Sequence, residues 1–228
     1  MTTVSRPSRA GAKRTGGRLW VKICGLRSRE SVEAATQAGA DALGFVFHAA
    51  SPRDLAPAAA RELARAVPAG IERVAVFLHP AQSLVDEVIE VLAPDWVQTD
   101  AGDLFALRLP PGQRVLPVLR SGALPPAVTA ARADGLPRRC LLESARSGAG
   151  ERADWFEAAR LARQTELVLA GGLDPGNVAA AVRAVRPFGV DVSSGVESSR
   201  GVKDPARIRD FVRAAREAER DLHTEESA

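Results

Sequence analysis

The side chains able to do chemistry gather where apolar runs of this chain end. The run "WVKIC" (20–24) carries Lys22 and Cys24 two positions apart, so both leave the same face of an extended strand. An ammonium beside a thiol favours the thiolate and creates a base. Taken alone, Cys24 also fits a small buried hydrophobe. Glu143 directly follows the run "CLL" (140–142). A carboxyl there is a helix cap, a solvated residue or a proton donor. A thiol and a carboxyl on separate strands can face each other as an acid–base pair.

Two later stretches suit an anion. "LAGGLDPGNV" (169–178) sets Gly171 and Gly172 before a helix start, where free backbone N–H groups collect. "DVSSGVE" (191–197) adds Asp191, the hydroxyls of Ser193 and Ser194, and Gly195. On consecutive strand ends, two such loops form a phosphate grip; either alone is equally a tight turn. Arg53, in "SPRDL", is a solvated surface charge or a fork for a substrate carboxylate. Gln98 and Asp100 close the run "WVQTD" (96–100).

These positions need a scaffold that brings strand ends together. Apolar runs occur at 20–25, 42–47, 73–78, 96–100, 114–119, 140–144, 167–172 and 188–195. Most lack alternation, as in a parallel sheet buried on both faces. Helical patterns fall between and after them, at 28–38, 57–67, 81–92, 101–107, 124–133, 154–164, 175–185 and 204–219. The fourth is weak, because Leu109-Pro110-Pro111-Gly112 cuts it short. Ser28 and Gly39 punctuate the first helix, and Asp174-Pro175 and Asp204-Pro205 open the last two. Eight strand–helix units predict an α/β fold, a single (β/α)8 TIM barrel. A doubly wound open sheet would want a GxGxxG turn after the first strand, and "CGLRSRE" has none. In a barrel the active site lies at the carboxyl ends of the strands, where every residue named above sits. The expected organisation is a disordered basic arm over 1–18, a barrel over 19–220 and a flexible tail over 221–228.

Composition narrows the function. The chain has 228 residues, 46% hydrophobic and 26% charged, an ordinary globular balance. Its net charge is +3, while residues 1–18 hold Arg6, Arg9, Lys13, Arg14 and Arg18 and no acid. The remainder is near neutral, which argues against a nucleic-acid partner. No apolar stretch approaches the ~18 residues of a membrane span, and no apolar segment of a signal peptide follows the basic start. A cytoplasmic location without a membrane partner is expected. Cys24 and Cys140 are too few for a disulfide framework, and His48, His79 and His223 are scattered, so nothing proposes a metal.

Together, "VKICGLRSRESVEAATQAGADALGFVF", "SPR", "VAVFLHP", "LAGGLDPGNV" and "GVDVSSGVESSRGVKDPARI" resemble the phosphoribosylanthranilate isomerase family of tryptophan biosynthesis. The likeness runs from about residue 20 to 215. It implies a cofactor-free Amadori rearrangement of a small phosphosugar by a monomer or homodimer. It further implies Cys24 as general base and Glu143 as general acid. Lys22, Arg53, Gln98 and Asp191 would contact the substrate, Arg53 through the anthranilate carboxylate. Gly171, Gly172, Ser193, Ser194 and Gly195 would hold the phosphate.

Three departures stand out. The family's acid is an aspartate after "LL", and here it is Glu143, longer by roughly 1.5 Å. Strand four usually ends "VQLHG", but here "VQTDAG", with Asp100 at the histidine's place. A "GGTG" loop ahead of "FDW" reads "SGAGERADW" (147–155). A paralogue with an altered phosphosugar substrate, or a non-catalytic phosphosugar-binding barrel, are the alternatives these changes leave open.

Overall fold

The computed structural model of the chain describes residues 17–123, 136–145 and 152–227. Almost all of the basic arm, the helix expected at 124–133, the altered loop at 147–151 and Ala228 lie outside the described residues. Eight strands close into a parallel barrel in sequence order. They are β1 (Trp20–Cys24), β2 (Ala42–Phe47), β3 (Glu72–Phe77), β4 (Trp96–Asp100), β5 (Arg114–Arg120), β6 (Arg139–Glu143), β7 (Glu166–Leu169) and β8 (Gly189–Val192). The helices described are α1 (Arg29–Ala38), α2 (Pro57–Ala64), α3 (Gln82–Leu92), α4 (Trp155–Ala162), α5 (Val178–Val185) and α6 (Pro205–Ser227). None is long and apolar enough to cross a membrane.

The strands form because each apolar run is buried on both faces, inward against the lumen and outward against the helices. Trp20, Val74, Trp96, Leu116, Leu141 and Val168 pack together in the lumen, and Val21, Ile23, Phe45, Leu142 and Phe211 belong to the outer shell. Burying each such side chain contributes about 1.5–3 kcal/mol. At the lumen's lower end the guanidinium of Arg139 lies 3.9 Å from the Phe188 ring centroid and 4.8 Å from that of Trp96. Arg114 covers Trp96 at 4.5 Å. These cations on aromatic faces floor the barrel below the catalytic end.

The alternation of strand side chains then sets the site. On β1, Trp20 lies deep in the lumen, Lys22 lies above it, and Cys24 reaches the rim. Parallel register places Lys22 beside Asp191, Cys24 beside Gly44 and Arg120 beside Glu143.

Helix punctuation mostly follows the sequence. Ser28 and Ser31 form a reciprocal capping box, and Gly39 stops α1 at φ 85°. Asp204 accepts N–H bonds from Ala206 at 2.8 Å and Arg207 at 3.3 Å. Asp174-Pro175 differs: α5 begins only at Val178, and the Asp174 carboxylate caps a turn through Gly176 N and Asn177 N at 2.7 and 3.0 Å. The pattern at 101–107 yields one 3-10 turn, Asp103–Phe105, because Asp103 is drawn back to Thr99 and His79. The final helix outruns its expected end at 219. It continues through Ser227 with Leu222 buried, where a flexible tail was anticipated from 221. Arg216 of this helix binds the Leu19 carbonyl and Asp41, fastening the end of the chain to the start of β1. A short hairpin, β9 (Glu197–Ser199) and β10 (Val202–Lys203), extends the loop after β8.

Candidate active site

Cys24 is the last residue of β1 because the chain must turn immediately after it. Gly25 takes φ 75°, and a Cβ there would lie 2.6 Å from the Arg53 side chain. The N–H groups of Gly25 and Leu26 both donate to the Gly44 carbonyl, at 2.9 and 3.1 Å. The thiol is thereby set into a cavity of about 210 Å3, whose wall includes Gln98, Glu143, Asp191, Arg53 and Arg200. Strand ends far apart in sequence thus bring the expected base and acid to one space.

Lys22 is fully buried beneath the thiol, off the cavity wall, and bonds Asp191 Oδ1 at 2.8 Å. Burial alone would lower its pKa, but Asp191 and Cys24 outweigh that and raise it to about 12. The pull of Lys22 toward a thiolate is opposed by the same burial. Desolvation pushes the Cys24 thiol above its ordinary 9.0, and the pull of Lys22, shared with Asp191, falls short of reversing it.

Glu143 closes β6 and meets Arg120, whose Nη1 lies 2.8 Å from Oε2. The other Arg120 amino nitrogen binds Asp100. Two of the departures from the family pattern, Asp100 and Glu143, are therefore joined through one guanidinium. The acid expected at the mouth is thus ion-paired to Arg120.

Gln98 is 5% exposed, and its Oε1 has no hydrogen-bond partner among the described residues. An orphaned acceptor on a cavity wall is suited to a donor brought by a ligand. Arg53, only 7% exposed, is not a free surface charge. Its Nε and Nη2 bind the two oxygens of Glu197 at 2.7 and 3.0 Å. Burial would raise the Glu197 pKa, yet Arg53 and Lys203 lower it to about 2.

The loops after β7 and β8 border a second, smaller cavity of about 30 Å3, lined by Gly171, Gly172, Ser193 and Ser194. It shares Glu143, Asp191 and Ser193 with the larger one. Gly171 and Gly172 take φ 83° and 64°, which only glycine holds at little cost. Gly195 is absent from this wall: a Cβ there would lie 1.9 Å from the Leu173 carbonyl oxygen, so this glycine lets the two loops touch. The Ser193 hydroxyl donates to the Cys24 carbonyl at 3.1 Å and receives Lys203 Nζ at 3.2 Å. It braces β1 rather than waiting free for an anion.

Sequence reasoning missed Arg120, Glu197, Lys203, Arg200 and Gly44. A charge closing the run "RVLPVL" was a signal for Arg120. A lone glycine inside "ALGFVF" was a signal for Gly44, since strand glycines mark close approaches. A Cβ on Gly44 would lie 2.8 Å from Cys24 Sγ and 3.1 Å from Lys22 Cε. Gly44→Ala is expected to keep the fold while displacing the thiol, lowering kcat by roughly 10- to 100-fold with KM little changed. Steady-state kinetics on the folded variant check this, and an unchanged kcat removes Gly44 from the positioning of Cys24.

The family model described as N-(5'phosphoribosyl)anthranilate (PRA) isomerase matches residues 21–214. The chain belongs to the phosphoribosylanthranilate isomerase family. A relative in Bordetella pertussis, named N-(5'-phosphoribosyl)anthranilate isomerase, is 42% identical over 212 residues, covering 86% of this chain and 95% of that one. The phosphoribosyl anthranilate isomerase structure from Thermotoga maritima aligns with a TM-score of 0.75 at 30% identity, over 88% of this chain and 100% of that one. Another isomerase structure, solved with reduced 1-(o-carboxyphenylamino)-1-deoxyribulose 5-phosphate, aligns at 0.68 with 30% identity and the same coverages.

Proposed function

We propose that this chain catalyses the Amadori rearrangement of N-(5'-phosphoribosyl)anthranilate to 1-(2-carboxyphenylamino)-1-deoxyribulose 5-phosphate, a step of tryptophan synthesis in the cytoplasm. One observation carries the assignment of roles: Cys24 and Glu143, from β1 and β6, line one cavity that adjoins the Gly171–Gly172 and Ser193–Ser194 loops. In this reading those loops hold the phosphate and fix the ribose between the thiol and the carboxyl. Glu143 gives a proton to the furanose ring oxygen, the C1′–O bond breaks, and the nitrogen lone pair forms the Schiff base. The Cys24 thiolate then takes the C2′ proton, leaving an enolamine that tautomerises to the ketone. Both steps are proton transfers, which need two fixed groups of opposite role. Gln98 Oε1 accepts from a substrate hydroxyl or amine. Two free thiols, Cys24 and Cys140, agree with a reducing compartment.

Steady-state turnover of N-(5'-phosphoribosyl)anthranilate by the purified protein tests the reading directly. Rescue of a tryptophan auxotroph lacking the isomerase is expected alongside it. Absent turnover, with phosphate still raising Tm, would leave a phosphosugar-binding barrel in place of the enzyme.

A further inference from the structure

Arg53 lines the cavity with its charge already shared. Its Nε and one Nη2 hydrogen bind Glu197, while Nη1 and the second Nη2 hydrogen remain for a ligand. Lys203, the neighbouring cation, turns its ammonium inward to Glu197, the Ser193 carbonyl and the Ser193 hydroxyl, at 2.9, 2.9 and 3.2 Å. A carboxylate bound beside Arg53 would meet a guanidinium whose charge is already partly neutralised by Glu197.

A second guanidinium stands on the same wall. Arg200, at the tip of the β9–β10 hairpin, lines the cavity and makes no hydrogen bond or ion pair among the described residues. Its place is fixed by its neighbours. Gly201 takes φ 84°, and a Cβ there would lie 2.6 Å from the Pro52 carbonyl oxygen, so the hairpin presses onto the segment that carries Arg53. Gly201 N also donates to Glu197 Oε2 at 3.1 Å, and Arg27 Nη1 holds the Pro52 carbonyl at 2.9 Å. An otherwise solvated cation is thus anchored at the rim of the cavity that Arg53 also lines.

We propose that Arg200 binds the aromatic carboxylate of the substrate together with Arg53, and that it sets the preference for a carboxylate-bearing N-aryl phosphoribosylamine. This rests on the isomerase reading above, since it assigns a subsite of that same cavity. Guanidiniums from two arginines bracket the carboxylate, and the rim position leaves the reacting carbons between Cys24 and Glu143. Arg200 touches no reacting atom, so its contribution is to binding and discrimination.

The test compares two substrates: N-(5'-phosphoribosyl)anthranilate and its aniline counterpart, which lacks the carboxylate. With Arg200→Ala, KM for the first is expected to rise roughly tenfold with kcat within about twofold, the scale of one exposed charged hydrogen bond. The kcat/KM for the aniline compound should stay at the wild-type value, and Arg200→Lys should recover part of the loss. Equal losses on both substrates, or no loss on the first, overturn the assignment while leaving the isomerase reading intact. Wild-type protein that turns over neither compound ends the isomerase reading, and this inference with it.

Discussion

Cys24→Ser is expected to lower kcat by about 100- to 10,000-fold, the usual worth of a positioned general base. The replacement is nearly isosteric, so KM should move only a few-fold. Loss of proton abstraction, not of shape, is what the experiment isolates. The pH profile gives an independent reading. Burial holds the thiol above 9.0, despite Lys22 pulling it down. A base acts only when deprotonated, so wild-type kcat/KM should climb with pH on a limb lying above pH 9. Cys24→Ser should abolish that limb, because a serine hydroxyl does not ionise in the accessible range. Another base on the wall is Asp191, already bonded to Lys22. If Cys24→Ser turned over near the wild-type rate while Asp191→Asn did not, the base would be the aspartate. Both carbon-acid chemistry and the phosphate site would survive that outcome; the role of the thiol would not.

Much of this site was legible because strands announce themselves. Runs such as "ALGFVF" are apolar on both faces, and a closed parallel sheet is where such runs are stable. Strand ends then name Cys24, Gln98, Glu143 and Asp191 without coordinates. What stayed hidden were pairings across long sequence separations. Lys22 and Asp191 are 169 residues apart, and Arg53 and Glu197 are 144 apart. No local pattern shows that Arg53 is already engaged, or that Arg120 spans Asp100 and Glu143. The opposing influences on the thiol were hidden for the same reason. Sequence puts an ammonium near it, but the balance between that charge, its aspartate partner and burial exists only in the folded lumen. Asp174-Pro175 failed differently: Asx-turn chemistry competes with helix capping, and the turn prevailed by three residues of delay before Val178.

Glu143→Gln is expected to reduce kcat by at least about 100-fold, since the amide keeps the shape but has no acidic proton for the ring oxygen. Glu143→Asp separates acidity from reach. It keeps the carboxyl yet withdraws it by roughly 1.5 Å. The resemblance places an aspartate at this position, which by sequence alone suits the shorter acid. The ion pair changes that expectation. Glu143 Oε2 meets Arg120 Nη1 at 2.8 Å while Arg120 also holds Asp100, so the longer side chain belongs to an arrangement that includes strand four's altered end. Shortening it opens the contact with Arg120 and moves the proton away from the cavity centre. An ångström of misplacement costs on the order of 100-fold when nothing else adjusts. Arg120 is long enough to follow part of the way, so Glu143→Asp should fall between wild type and Glu143→Gln in kcat. Arg120→Lys in the wild-type background should lower kcat more than it raises KM, because a single ammonium cannot span Asp100 and Glu143 as the planar fork does. Steady-state kinetics on the three variants, each checked for an unchanged circular dichroism spectrum, give the order. A Glu143→Gln enzyme at full activity takes Glu143 out of the mechanism. An Asp variant no better than Gln means that reach, through Arg120, governs the acid as much as its proton does.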